Sequence, residues 1–111
     1  MYDEKVVLCG ANSYEVKYYF NPEFDALPDQ IKEELRVLCV LYVNDVGGIL
    51  TIVFDENGEL QLEVSSTEGD PMFDEIGSRL KIKEIQEKHQ DLLQSLQMFY
   101  KVFMGGDKEC Y

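Results

Sequence analysis

ILTIVFDENGELQLEVS, residues 49–65, reads as two strands joined by a tight turn, and the rest of the fold is organised around it. Asn57-Gly58 is a strong tight-turn signal between the strand-like runs Ile49–Phe54 and Glu59–Ser65. In the second run Leu60, Leu62 and Val64 alternate with Glu59, Gln61 and Glu63, which gives one buried and one solvated face. The first run is apolar on both faces, with Leu50, Ile52 and Phe54 on one and Ile49 and Val53 on the other. Its second side or its edge therefore needs cover. Two strands alone are marginally stable, so the hairpin requires partners from elsewhere in the chain or from a second subunit.

Upstream, Pro28 suits a helix start, followed by Asp29, Glu33 and Glu34 near the positive end of the dipole, with Ile31, Leu35, Leu38 and Tyr42 at helical spacing. This element ends at Gly47-Gly48. Its run Val37–Val43 is apolar on every side, which predicts burial by at least two layers; the three valines leave a strand as the other reading, and helix is favoured. Downstream, Asp70 and Pro71 read as a cap and first helical residue, with Phe73, Ile76 and Leu80 apolar at spacings of three and four. The stripe slips phase near Gly77. From there Ile82, Ile85, His89, Leu92, Leu96, Phe99 and Phe103 mark a long amphipathic C-terminal helix that stops at Gly105-Gly106.

Residues 6–20 admit two readings. Tyr14, Val16, Tyr18 and Phe20 alternate as a strand would, and a hairpin with Val6–Cys9 would make a four-stranded sheet. Asn12-Ser13-Tyr14-Glu15 is also a capping box, which would open a short helix ending before Pro22. The capping box tips the reading to helix, and with it the sheet to completion by a second subunit, hence a homodimer. The fold class is α+β: a small antiparallel hairpin or sheet packed against helices.

The 111 residues carry 22 acidic against 10 basic side chains, a net charge of −12, and the acid is unevenly spread. No Lys or Arg lies between Arg36 and Arg79, where Asp45, Asp55, Glu56, Glu59, Glu63, Glu68, Asp70, Asp74 and Glu75 stand. The stretch from Arg79 to Met104 reverses sign through Arg79, Lys81, Lys83, Lys88 and Lys101, so the molecule is electrically two-sided. With 45% hydrophobic residues, seven tyrosines and six phenylalanines, residues 1–111 can bury one core as a single domain. The longest apolar run is seven residues, far short of the ~20 that span a bilayer. Asp3 and Glu4 leave no basic start for a signal peptide, so a cytoplasmic protein without membrane contact is expected. Cys9, Cys39 and Cys110 have no zinc-knuckle spacing and read as reduced thiols.

Three segments, VVLCGANSYEVKYYFNPEFDALPDQIKEEL (6–35), NDVGGILTIVFDENGEL (44–60) and FDEIGSRLKIKE (73–84), resemble an uncharacterised family of short acidic proteins from clostridial bacteria, a domain of unknown function. The resemblance runs from Met1 to about Met104. It implies an intracellular bacterial protein standing as a domain on its own, and it carries no catalytic residue across.

Candidate chemistry is sparse. Cys9 beside Gly10 could serve as a nucleophile with His89 as base, but a thiol among Val6, Val7 and Leu8 reads more simply as a small buried hydrophobe, and the one histidine sits on an apolar seam. Asp55-Glu56-Asn57-Gly58-Glu59 has too few ligand positions before its glycine for an EF-hand, and two strands flank it. The loose cluster Glu68, Asp70, Asp74 and Glu75 is what a helix dipole favours in any case. No cofactor or metal is implied. Nucleic acid is disfavoured because affinity for it rests on neutralised phosphates. The expected function is a non-catalytic adaptor or regulatory module, a homodimer, in which Asp55, Glu56, Glu59, Glu63, Glu68, Asp70, Asp74 and Glu75 face a basic protein partner. The alternative is a small-ligand or divalent-cation-binding protein using Tyr14, Tyr18, Tyr19 and Tyr42 with nearby carboxylates.

Overall fold

The 49–65 hairpin forms as its sequence predicts, with strands β3 (Ile49–Phe54) and β4 (Leu60–Ser65) paired from Ile49–Ser65 to Phe54–Leu60, in a computed structural model that describes residues 5–66 and 73–103. Residues 6–20 take the strand alternative and not the helix. They form β1 (Val6–Asn12) and β2 (Lys17–Phe20), an antiparallel hairpin whose first strand also pairs antiparallel with β3. The sheet order is β2-β1-β3-β4. The capping-box residues are present but make only a turn: the Asn12 side chain accepts from the backbone N–H of Tyr14 and Glu15, and the chain then reverses at Val16, which lies in the left-handed region at φ 54°. With the sheet completed inside one chain, a lone hairpin no longer requires a second subunit.

A single 3₁₀ turn (Pro22–Phe24) buries Phe24 and leads to helix α1 (Asp29–Val46), which Gly47 terminates at φ 78°. The α1 reading as helix holds, but its burial is one-sided: Leu35, Leu38, Cys39, Tyr42, Val43 and Val46 are buried while Val37 and Leu41 stay exposed. The C-terminal stripe divides into α2 (Glu75–Lys88) and α3 (Gln90–Phe103), so the break falls at His89 and not at Gly77. Its cause is a change of partner. Along α2, Tyr42 on α1 hydrogen-bonds buried Ser78, and Lys81 pairs with Asp45. α3 turns instead onto β4 and the rings of Phe24 and Phe54. The phase that faces Ser78 and Ile85 inward leaves Ile76 73% and Leu80 65% exposed, against the seam read for them. The Asp70 cap and Pro71 lie outside the described residues. Asp74 caps α2, accepting from the Gly77 N–H.

The helices cover one face of the sheet. Leu8, Cys9, Ala11, Leu50, Ile52, Phe54 and Leu60 join the inner residues of α1 and Ile85, Leu92 and Leu96 in one hydrophobic core. No described helix covers the other face, where Gly10 pairs with Tyr19 and Val53, opposite Val7, is nonetheless buried. Gly10 admits no side chain, because a Cβ there would lie 2.9 Å from the Leu50 carbonyl oxygen. No helix among the described residues is long and apolar enough to cross a membrane.

Candidate functional site

The β3–β4 turn is built by Asp55. Its Oδ1 accepts from the backbone N–H of Asn57 at 2.8 Å and of Glu59 at 3.0 Å, and its Oδ2 accepts from Gln61 Nε2 at 3.1 Å. Bonds to the carboxylate favour its charged form, so the Asp55 pKa is held below the ordinary carboxylate value, the Glu59 N–H being the largest cause. With those oxygens committed to the turn, Asp55 acts as a structural brace rather than a cation ligand. Gly58 takes φ 81° with Lys101 and Tyr100 of α3 packed below it. Tyr100 stacks on Phe54 with ring centroids 4.3 Å apart, and Gln97 Oε1 accepts from the Leu60 N–H at 2.8 Å. The turn is thereby anchored on α3. Sequence reasoning missed Gln97, Tyr100 and Phe24 here, since Gln97 and Tyr100 stand one residue off the apolar seam at Leu96 and Phe99, and Phe24 lies in a short turn without periodicity.

The acidic block does not form one face. Glu56 and Glu59 project from the turn into solvent. Glu63 points from the outer side of β4 and pairs with Lys5. Asp74 is spent on its helix cap, and Glu75 borders a cleft of about 350 Å³ between β4 and α2 with Leu62, Val64, Phe73 and Arg79. Phe73, two residues before Glu75, packs at Gly48 beside Ser65, the end of the hairpin opposite the turn and roughly 20 Å from it at the usual strand rise. Glu68 and Asp70 lie outside the described residues. Among the described residues of the block, Asp55, Glu56 and Glu59 share the turn, while Asp74 and Glu75 share the start of α2.

The four tyrosines of the ligand-binding alternative are likewise dispersed. Tyr42 is fully buried and bonded to Ser78; burial pushes its pKa up and the Ser78 bond offsets part of that. Tyr18 faces the core, its neighbour Tyr19 lies 52% exposed on the open sheet face, and Tyr14 stands exposed in the β1–β2 turn. The outer side of the sheet carries a shallow groove of about 420 Å³ bordered by Val7, Gly10, Lys17, Tyr19, Ile49 and Thr51. Cys9 sits under the sheet against Cys39, whereas His89 lines a groove on α1 beside Val37, Leu38 and Leu41, so the two are not assembled as nucleophile and base. Among the described residues no three His, Cys, Asp or Glu side chains are placed to hold a metal ion.

Comparison with known protein families matches residues 5–108, a span that includes every strand and helix described above, to DUF6145. The chain belongs to this family of unknown function. No curated protein and no solved structure matches it.

Proposed function

We propose that the protein is a non-catalytic cytoplasmic interaction module whose β3–β4 turn engages a basic protein partner. One observation carries this reading. Glu56 and Glu59 are exposed, rigidly presented, and take part in none of the ion pairs made among the described residues, whereas Glu33, Asp45, Glu63 and Glu84 all have cationic neighbours. Carboxylates without internal partners are available to an incoming cation, and the α3 anchor lowers the ordering cost of binding.

The test separates this site from the bulk charge. A protein co-precipitated from native extract at low salt is purified and titrated against wild type, Glu56→Lys/Glu59→Lys, and a control, Glu23→Lys/Glu87→Lys, with the same change in net charge at exposed positions elsewhere. Loss of binding in the first variant alone supports the turn as the site. Equal weakening in both, scaling only with salt, refutes it.

A homodimer is a second reading, favoured by the sheet face that no described helix covers. Exposed Val7 and Tyr19 lie there beside partly covered Ile49 and Thr51, and the surrounding charges balance, Lys17 against Glu15 and Lys5 against Glu63. On a molecule of net charge −12, this is a face that a second copy can approach with little repulsion. Sedimentation at micromolar concentration should show a dimer that Tyr19→Lys dissociates; a wild-type monomer at that concentration excludes the reading.

A further inference from the structure

The register of β1 against β3 slips between Val7 and Cys9. Val6 pairs with Phe54 and Val7 with Val53, but the next pair is Cys9 with Ile52, so Leu8 is the extra residue of a β-bulge. Plain alternation from Val6 would send Cys9 to the open face. The bulge turns both Leu8 and Cys9 inward, and both are fully buried. Directly above, α1 presents Cys39, also fully buried, with the two Sγ atoms 3.9 Å apart. Beside them the Tyr18 hydroxyl is shut off from solvent with no well-directed hydrogen bond; its burial and the two thiols push its pKa up. A fold that interrupts its own central ladder to bring one thiol onto another, thirty residues away in sequence, has assembled a two-cysteine site.

We propose that Cys9 and Cys39 form a redox-responsive pair that closes to a disulfide between β1 and α1 when a peroxide reaches it. In the first step one sulfur, as its thiolate, attacks a peroxide oxygen; the O–O bond breaks, leaving a sulfenic acid and a hydroxide that takes the released proton to become water. In the second step the other sulfur attacks the sulfenic sulfur, the S–O bond breaks, and the departing hydroxide takes the second thiol proton as another water. Two thiols and one hydrogen peroxide thus become one disulfide and two waters, the sulfurs supplying both electrons. The sulfurs must approach from 3.9 Å to the disulfide length of about 2.0 Å. Side-chain rotation and a shift of β1 at the bulge, where the ladder is already broken, can supply that movement.

Burial sets the rate. The neighbouring Cys9 thiol and loss of solvent push the Cys39 pKa up, so thiolate is scarce in the closed fold. Reaction is therefore slow and gated by opening between β1 and α1, which makes the pair respond to sustained oxidation rather than to brief exposure. Once closed, the bond should raise the urea midpoint, since it ties the unfolded chain across that loop. This inference is independent of the acidic turn.

The experiment uses the full chain carrying Cys110→Ser, so that only the pair remains. The protein is treated with hydrogen peroxide in buffer and, in parallel, in urea just below the unfolding transition; it is then denatured, alkylated and weighed intact. The expected result is loss of two hydrogen atoms, no alkylation, a proteolytic fragment joining the Cys9 and Cys39 peptides, reversal by dithiothreitol, and a faster reaction in urea. In Cys39→Ser/Cys110→Ser, checked for folding by circular dichroism, the same treatment should leave Cys9 as a monomeric oxyacid or an intermolecular dimer. Two alkylatable thiols persisting in both solvents would overturn the proposal, as would over-oxidation of one cysteine with the other intact.

Discussion

Ser78→Ala tests how α1 and α2 are held together. Tyr42 Oη and Ser78 Oγ are buried and bonded to each other across the two helices, so each is the partner that keeps the other satisfied. Removing the serine oxygen leaves a phenol with no acceptor in the core, which should cost ~1–3 kcal/mol. Tyr42→Phe should cost less, about 0.5–1.5 kcal/mol, because a helical serine can turn its hydroxyl to the carbonyl four residues earlier, here that of Asp74. The double variant lacks both groups, so its loss should fall short of the sum of the single losses by roughly 1 kcal/mol or more. Urea unfolding of the four proteins with a common m-value measures all three quantities.

Alkaline pH gives the same bond a second readout. Burial raises the Tyr42 pKa above 10.0, so at high pH the unfolded chain loses a proton that the folded chain keeps. The stability is fully present below pH 10 and falls as pH rises above it, by at most ~1.4 kcal/mol per pH unit for this group. Tyr42→Phe should flatten that limb. Single losses that add within about 0.5 kcal/mol, together with an unchanged alkaline limb, would show that the two hydroxyls are not paired and that α2 is held against α1 by other means.

Three further expectations use the same unfolding assay. Leu96, 1% exposed on α3, should cost ~2–5 kcal/mol when cut to alanine, and an unchanged midpoint would mean the seam is wrongly phased. Val16→Asn should stabilise by roughly 0.5–1.5 kcal/mol, since Val16 is 87% exposed and a β-branched residue strains a left-handed backbone that asparagine tolerates; a loss of stability refutes that. Asp55 has its folded pKa lowered below 3.8, so its contribution is present above that pH and is lost as pH falls through the folded value; Asp55→Asn should flatten the acid limb of the stability curve, and a limb as steep as wild type would remove Asp55 from it.

What was legible in the chain was what local signals encode. Alternation over Leu60, Leu62 and Val64 with Asn57-Gly58 beside it specifies β3, β4 and their turn without reference to anything distant, and Gly47-Gly48 likewise ends α1. The signals at Asn12–Glu15 are equally local but ambiguous, because one side-chain oxygen on two backbone N–H groups starts a helix and closes a turn alike. The decision comes from β3, some forty residues away, pairing with Val6–Asn12. A long-range partner also explains the break at His89, which carries no proline or glycine. The candidate site suffered most: that Glu63 belongs to Lys5, 58 residues away, and Asp74 to its own helix cap is invisible to composition.

The charge asymmetry along the chain is folded away in part. Lys81 leaves its basic segment to pair with Asp45 at 2.9 Å, Lys88 is held by Glu84 at 2.8 Å, and Lys101 packs its stem beneath Gly58, under the acidic turn itself. Exposed pairs of this kind are each worth little to stability, ~0–1 kcal/mol, so their effect is mainly on the field outside the molecule. Within the acidic block they neutralise Asp45, as Lys5 neutralises Glu63, and they leave Glu56 and Glu59 in no ion pair among the described residues. A partner drawn in by net charge would meet the projecting carboxylates Glu56 and Glu59, on a turn braced by Asp55 from within and by Tyr100 from below. In this reading long-range charge brings a partner to the chain, and the rigid turn selects where it docks.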